Sequence, residues 1–148
     1  MNLEIRDATA ADAGALLPLI AEMGEGFGHP TRADEALVTR CLEQPGYGIL
    51  LALLGGEIVG FLAHATTLDL YMGGPTGEIV DMLVTERARG AGIGSALVGE
   101  AVRRFEAAGC SQAQVITGAE NEAAKRVYRK AGLVDELLCL QRHLFDEE

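Results

Sequence analysis

Residues 84–95 read Val-Thr-Glu-Arg-Ala-Arg-Gly-Ala-Gly-Ile-Gly-Ser and join a predicted strand directly to a predicted helix. Three glycines alternate in this turn, at positions 90, 92 and 94. Glycine lets the backbone turn its N–H groups inward, and no Cβ obstructs an approaching anion. The N-terminus of the following helix adds N–H donors and the positive end of a dipole, and Arg89 adds a fixed charge. Such a turn can hold a pyrophosphate, although glycine turns at strand–helix junctions are also common as purely structural features.

Two familiar phosphate-binding motifs do not fit this stretch. A Walker A loop ends in Gly-Lys-Ser or Gly-Lys-Thr, which is absent here. The Rossmann fingerprint needs a third glycine where this chain has Ser95 or Leu97, and it normally follows the first strand of its domain. A nucleotide-binding domain of the Rossmann type is therefore excluded.

The rest of the chain divides into short strand and helix patterns around this turn. The predicted strands are Leu3–Arg6, Gly48–Leu54, Glu57–Thr67, Gly77–Val84, Gln112–Thr117 and Leu137–Phe145. The predicted helices run from Thr9 to about Met23, from a cap pattern at Thr31–Asp34 to about Glu43, from Gly90 to Gly109, and over Asn121–Lys130. This order predicts one α/β (α+β) domain over residues 1–148, with a mixed, mostly antiparallel sheet flanked by helices.

Composition sets the broad class of the protein. Apolar residues make up 49% of the 148, enough for a sizeable core, and no apolar run approaches the roughly 20 residues that span a bilayer. The N-terminal stretch, with Glu4 and Asp7, does not resemble a secretory signal. The three cysteines form no CxxC pair, so no metal site is expected. We expect a cytoplasmic protein with no membrane partner.

The charge is unevenly distributed along the chain. The net charge of −10 argues against a nucleic-acid partner. Eight Lys/Arg and four acids give residues 87–130 a charge of +4, which leaves −14 for the remainder. This asymmetry suits an anionic ligand at the first segment and a cationic one elsewhere, although both can equally be solvated helix faces.

Two motifs together carry a resemblance to a known family. The pattern Arg89-x-x-Gly92-x-Gly94 after the strand ending at Val84 resembles the acetyl-CoA signature of the GNAT superfamily of N-acetyltransferases. Residues 121–133, Asn-Glu-Ala-Ala-Lys-Arg-Val-Tyr-Arg-Lys-Ala-Gly-Leu, resemble its second signature, with Leu133 in place of the usual Phe. The resemblance implies acetyl transfer from acetyl-CoA to a primary amine of a small molecule or peptide, by direct attack in a ternary complex.

The resemblance also implies which residues bind acetyl-CoA. The backbone at the end of the preceding strand would pair with the pantetheine and orient the thioester carbonyl. Asn121, which is also an obvious helix N-cap, would contact the cosubstrate. The implied binding residues are Met82, Leu83, Val84, Arg89, Gly90, Ala91, Gly92, Ile93, Gly94, Ser95 and Asn121.

Tyr128, in the second signature, would protonate the departing thiolate, and the alternative is a tyrosine that only fills the helix–sheet interface. The base that deprotonates the amine is expected on the strand ending at Val84, where the candidates are Glu78 and Asp81. These two face opposite sides of an unbroken strand unless a bulge intervenes. Glu78 is preferred, with a water relay or His64 as alternatives. Cys110 is expected to be a buried small hydrophobe rather than a nucleophile.

The acceptor is left open by the sequence. The acidic remainder of the chain mildly favours a cationic amine over an anionic sugar phosphate; the acids considered are Glu22, Glu25, Asp34, Glu35 and Asp69. A non-catalytic acyl-CoA-binding or regulatory module on the same fold is the alternative function, against which Tyr128 and the acidic strand argue. A homodimer is compatible with the resemblance, since small members of the family are usually dimeric.

Overall fold

The computed structural model describes residues 2–144, and its elements alternate around one sheet. The strands are β1 (Leu3–Asp7), β2 (Tyr47–Leu54), β3 (Glu57–Asp69), β4 (Gly74–Val84) and β5 (Ala113–Val115). The helices are α1 (Ala13–Phe27), α2 (Glu35–Glu43), α3 (Ile93–Ala107) and α4 (Glu122–Lys130), with 3-10 turns at Ala10–Asp12 and Glu86–Ala88.

The sheet is mixed, as the sequence predicts. Its strands lie in the order β1-β2-β3-β4-β5; the first four pair antiparallel and β5 pairs parallel with β4. The parallel pair is joined by α3, as a crossover requires. The glycine turn therefore lies at the carboxyl end of β4, where chain leaving the sheet enters α3.

Both faces of the sheet are covered by helices, which explains the unbroken apolar run of β2. Leu50 and Ala52 point to one core, shared with Leu97 and Phe105 of α3. Ile49, Leu51 and Leu53 belong to a second core, which contains side chains from α1 and α2. The site thus lies between two packed layers that fix the position of β4.

The first two helices differ from the prediction at their ends. Helix α1 continues past Met23 to Phe27 and ends at Gly28, whose φ of 79° gives the left-handed C-cap. Helix α2 begins at Glu35 because the Asp34 carboxylate accepts a hydrogen bond from the Leu37 N–H at 2.8 Å. The predicted cap pattern is thus present, but its capping residue is Asp34 rather than Thr31.

The β3–β4 hairpin and the following elements also differ in length. The hairpin is two to three residues longer on each strand than predicted, since Asp69 closes its turn by accepting from the Met72 N–H at 2.9 Å. Helix α3 begins at Ile93 rather than Gly90, because Gly92 is its N-cap. Strand β5 pairs over only three residues, shorter than the predicted Gln112–Thr117.

The predicted last strand, Leu137–Phe145, is wrong for the part that the structure describes. Residues 137–144 form no strand, and Phe145 lies outside the described residues. A strand requires a neighbouring backbone for its hydrogen bonds, and within residues 2–144 this segment pairs with none of the five strands.

No helix within residues 2–144 is long and apolar enough to cross a bilayer.

Candidate active site

The glycine turn forms an open concavity at the start of α3. Gly90 and Gly92 have φ of 83° and 80°, a left-handed conformation that favours glycine. A Cβ built on either would have no atom of the described chain within 4 Å apart from those of its own residue and the two adjacent ones. The first helical hydrogen bond runs from the Ala96 N–H to the Gly92 carbonyl, so the N–H groups of residues 93–95 precede the helical ladder. The turn therefore fits a phosphate group.

The guanidinium of Arg89 already has partners within the protein, so its charge is not directed into this concavity. Its Nε donates to the Val84 carbonyl at 2.9 Å, and its Nη2 lies 3.3 Å from the Glu22 carboxylate. Glu22, on α1, also accepts from the Thr85 hydroxyl at 2.6 Å and from the Glu86 N–H at 3.0 Å. Glu22 thus fastens the turn to α1, a role that nothing in the local sequence indicates, and Arg89 closes the turn onto the strand end.

Strand β5 pairs with only part of β4 and ends before β4 reaches the turn. They pair only where Gly77–Ile79 lies beside Ala113–Val115. Further along β4, Met82, Leu83 and Val84 pair with β3 but have no partner on β5. The backbone of residues 82–84 is therefore unpaired on its β5 side, immediately before the glycine turn, and the space beside this unpaired backbone is named the slot here.

Helix α4 closes the other side of this region. The Asn121 side chain accepts from the Ala124 N–H at 3.1 Å, which confirms it as the N-cap. A Cβ on Gly94 would lie 3.8 Å from Met82 Cε and 3.9 Å from Val127 Cγ1, so α4 and the end of β4 converge on the start of α3. Tyr128, in the second turn of α4, is only 7% exposed. Burial, and secondarily Asp81, raises the pKa of its phenol.

A β-bulge in β4 changes which side chains share a face. Ala63 pairs with Asp81 and His64 with Ile79, so Val80 is an extra residue on β4. Glu78, opposite Ala65, and Asp81, opposite Ala63, therefore lie on the same face of the sheet. An unbroken strand would have separated these two acids.

A cavity of about 400 Å³ opens on this face, between α1, α2 and the sheet. Most of its wall is apolar; the side chains include Leu16, Ile20, Met23, Phe27, Val38, Ile49 and Phe61. Its polar lining residues are His29, Thr31, Arg32, Cys41, Tyr47 and Asp81. Asp81 is the one carboxylate among the described residues that line it, and Glu78 is not part of the lining.

The ionisable groups at the sheet end of this cavity perturb one another. The Asp81 residue is exposed to solvent and lines the cavity, yet its partial desolvation, and then the neighbouring charge of Glu78, raises the pKa of its carboxyl. Burial is also the main cause that raises the pKa of Tyr47, followed by Cys41 and the two acids. Tyr47 is thus a neutral hydroxyl near both carboxylates, and the sequence reasoning did not select it.

The remaining candidates lie elsewhere. His64 belongs to the opposite face of the sheet, with its ring centroid 6.0 Å from that of Phe105 in an edge-on contact. Burial lowers its pKa and its Nε2 has no partner among the described residues. Cys110 packs against the core beside α3, and burial raises the pKa of its thiol, which opposes a nucleophilic role.

Comparison with known proteins identifies the family. Residues 16–133 match the model of the Acetyltransferase (GNAT) family. An aminoalkylphosphonate N-acetyltransferase of Salmonella typhimurium is 28% identical over 129 residues, which cover 87% of this chain and 83% of that enzyme. A mycothiol acetyltransferase of Streptomyces avermitilis is 36% identical over 85 residues, 57% of this chain but only 26% of that enzyme.

Solved structures agree with the fold. An aminoglycoside acetyltransferase from an uncultured soil metagenomic sample, in complex with sisomicin, superposes with a TM-score of 0.82 at 20% identity, covering 98% of this chain and 97% of that one. A transcriptional regulator from Bacillus halodurans gives 0.85 at 27% identity, with 97% and 100% covered. The chain therefore belongs to the GNAT family of acetyltransferases and has its α/β fold. It is an acyltransferase enzyme, as the two signatures predict.

Proposed function

We propose that the protein transfers an acetyl group from acetyl-CoA to a primary amine, by direct attack within a ternary complex. The observation that carries this proposal is the position of β4 between two spaces. Asp81 lines the cavity between α1, α2 and the sheet, and the backbone of the next three residues is unpaired on the other side of β4, where it borders the slot. A donor in the slot and an acceptor in the cavity would therefore meet across a few atoms of one strand.

Acetyl-CoA would supply an activated acetyl thioester in this slot. The backbone of residues 89–95 would hold its pyrophosphate, and that of residues 82–84 would pair with its pantetheine arm. Backbone N–H donors also suit the thioester carbonyl, whose oxygen gains negative charge during attack. Asn121 contributes through its cap, which fixes the first turn of α4 beside the slot.

Asp81 is the group that we propose as the base, in preference to Glu78. An amine reaches the enzyme mostly as a cation and must lose a proton before it can attack. Asp81 borders the cavity where the amine would bind, and its raised pKa makes it a stronger proton acceptor than an ordinary aspartate. Glu78 lies on the same face of the sheet but outside the cavity lining, and its negative charge helps to raise the pKa of Asp81. Its removal should therefore lower the pKa of Asp81.

Tyr128 is the proposed acid for the leaving thiolate. Its raised pKa keeps the phenol protonated at neutral pH, so the proton is available when the thiolate departs. The ring of Tyr128 packs among mainly apolar side chains, so the hydroxyl is the part of this side chain that can take part in polar chemistry. A purely structural tyrosine at this position would tolerate loss of the hydroxyl.

The residues that line the cavity also indicate which class of amine it would accept. None of the five acids that favoured a cationic acceptor lines it, and Glu22 is engaged by the turn. One carboxylate within an apolar wall suits a single amine on an apolar body better than a polyamine or an aminoglycoside. The Salmonella relative is named for aminoalkylphosphonates, in which a short alkyl chain carries the amine. Arg32 in the cavity wall is compatible with an anionic end on such a compound.

A coupled assay tests the proposal. Thiol release from acetyl-CoA is measured over arylalkylamines, aminoalkylphosphonates, aminoglycosides and polyamines, beside CoA binding alone. We expect turnover with one of the first two classes. Binding of CoA without thiol release for any amine would support the non-catalytic module instead.

The base is assigned by pH–rate profiles of two variants. Asp81→Asn should lose the rate at neutral pH, whereas Glu78→Gln should keep it and move the acidic limb to lower pH. The reverse pattern would transfer the role to Glu78, and normal profiles for both would indicate a water relay.

A further inference from the structure

Tyr47 lies at the sheet end of the cavity, and the reaction as proposed above does not use it. The other polar residues of the described lining, apart from Asp81, come from the loop between α1 and α2 or from α2 itself; they are His29, Thr31, Arg32 and Cys41. Tyr47 on β2 and Asp81 on β4 are thus the two described lining residues that carry a polar side chain on the sheet. An amine that reaches Asp81 therefore meets one further polar side chain of the sheet.

The register of the sheet places these two side chains on one face, with a gap between them. Tyr47 pairs with Ala65 of β3, and Asp81 pairs with Ala63, two positions away on the same face. Alanine has no side-chain atom beyond Cβ, so at these positions β3 places little between the side chains of β2 and β4. Neighbouring strands lie about 4.8 Å apart, which separates β2 from β4 by about 10 Å. A phenol and a carboxylate that reach over the two alanines can both contact one nitrogen atom between them.

The phenol of Tyr47 is a neutral group within the electrostatic influence of Asp81. Burial raises the pKa of Tyr47 most, Cys41 adds to this, and the charge of Asp81 comes next, ahead of that of Glu78. The oxygen of a neutral phenol accepts a hydrogen bond, and its O–H donates one. Tyr47 can therefore accept from an N–H group without competing with Asp81 for the proton.

We propose that the Tyr47 hydroxyl accepts a hydrogen bond from the acceptor amine beside Asp81, and that this pair of side chains selects primary amines over N-methylated ones. The inference rests on the proposed function, since it takes the cavity as the acceptor site. It assigns to Tyr47 a direct contact with the substrate, in place of a role in packing alone.

The selection follows from the four directions around an amine nitrogen. One direction leads to the apolar body of the substrate in the cavity, one must face the acetyl carbon, and the remaining two face Asp81 and Tyr47. A primary amine fills these two with N–H groups. An N-methyl group cannot lie towards the acetyl carbon during attack, so it must displace one of the two polar contacts. A polar group is then left unpaired beside an apolar wall, which disfavours the methylated substrate.

The variant Tyr47→Phe keeps the ring, which packs against the core beneath α1 and α2, and removes only the hydroxyl. The probes are 2-phenylethylamine and its N-methyl derivative, each measured for kcat/KM with acetyl-CoA and for affinity by calorimetry in the presence of CoA. Loss of a hydrogen bond from a charged amine should lower kcat/KM and affinity for the primary amine by about tenfold to a hundredfold. Both values should change little for the N-methyl amine, so the wild-type preference for the primary amine should shrink by a similar factor.

The matched control is Tyr71→Phe, the same chemical change at a tyrosine of the β3–β4 turn. Tyr71 is 94% exposed and is not part of the cavity lining, so its variant should leave the values for both amines unchanged. Circular dichroism and the melting temperature verify that the Tyr47 variant keeps its fold.

The two readouts separate this inference from the proposed function. An equal fall for both amines in the Tyr47 variant would make Tyr47 a packing residue and overturn the inference. A wild-type protein that binds the primary amine no better than the N-methyl amine, or binds neither, would also overturn it. Thiol release with a preference that does not depend on Tyr47 would refute this inference alone. Binding of the primary amine that depends on Tyr47, without thiol release, would support the amine site and refute the proposed acetyl transfer.

Discussion

Replacing Glu22 by alanine should weaken acetyl-CoA binding, although the residue lies outside the glycine turn. Its carboxylate holds three donors of the segment that leads into the turn: the Thr85 hydroxyl at 2.6 Å, the Glu86 N–H at 3.0 Å and Arg89 at 3.3 Å. A hydrogen bond to a charged partner is worth about 1.5–3 kcal/mol, whereas an ion pair as exposed as that of Arg89 contributes about 1 kcal/mol or less. Because the contributions of neighbouring contacts are not additive, we take the free-energy cost of losing all three Glu22 contacts as about 2 kcal/mol.

An opposing effect must be weighed against this loss. Removing Glu22 also removes a negative charge near the proposed pyrophosphate site and frees Arg89, and both changes attract an anion. Two unit charges about 8 Å apart in a water-like medium interact by about 0.5 kcal/mol, and less in salt. The loss of positioning is larger, so the dissociation constant should rise by about tenfold, with about thirtyfold as the limit if the whole 2 kcal/mol is expressed.

The assay is titration of acetyl-CoA by calorimetry at physiological ionic strength. Glu57→Ala is the matched control, because Glu57 pairs with Arg87 of the same segment at 2.7 Å but both side chains are largely exposed. It should leave affinity unchanged. Tighter binding by the Glu22→Ala variant would show that the freed charge of Arg89 dominates. Unchanged binding in a folded variant would show that the turn keeps its shape without α1, and either result would refute the reasoning.

Three further predictions concern the turn, the acid and the base. Gly92→Glu should abolish acetyl-CoA binding through the charge and bulk of the new side chain. The control Gly109→Glu should retain binding, since Gly109 has a similar φ of 76° and equally open surroundings. Equal affinities in both variants would contradict pyrophosphate binding at the glycine turn. Tyr128→Phe should lower turnover by roughly ten- to a thousandfold with little change in affinity, and wild-type turnover in a chemistry-limited assay would leave Tyr128 a packing residue. Asp81→Asn should raise the melting temperature at neutral pH, because the pKa of Asp81 is raised in the folded state and its charged form therefore opposes folding. The gain in melting temperature should disappear below the ordinary pKa of 3.8, where Asp81 is protonated in both the folded and the unfolded state. A gain that does not depend on pH would reject burial of the charge as its cause.

Elements decided by local chemistry could be predicted from the sequence. The left-handed glycines of the turn, the Asn121 cap and the apolar period of α3 all depend on residues within a few positions of each other. The end of α1 and the start of β4 were predicted less well, because the sequence reasoning did not recognise the Gly28 C-cap or the turn that Asp69 closes. Gly24 stays within α1, where a Cβ would lie 2.6 Å from the His29 carbonyl, because the chain turns back closely over the helix after the Gly28 cap.

The last strand illustrates a different limit. The alternating leucines after Val134 do favour extended chain, but strand pairing needs a second backbone, and within residues 2–144 this segment pairs with none. The pattern therefore indicated what the segment can form and not where its partner lies.

The choice between the two acids depended on one residue that a strand pattern cannot reveal. Counting parity from Glu78 to Asp81 puts them on opposite faces, and the preference for Glu78 rested on its distance from the strand end and its longer side chain. The bulge at Val80 adds one residue to β4 opposite an unchanged β3, which reverses the parity of every position after it. Asp81 is thereby turned into the cavity, while Met82 to Val84 keep their backbone at the slot. A register shift of one residue thus determines both the identity of the proposed base and its approach to the donor. Bulges are set by pairing across strands, so this part of the site could be known only from the folded sheet.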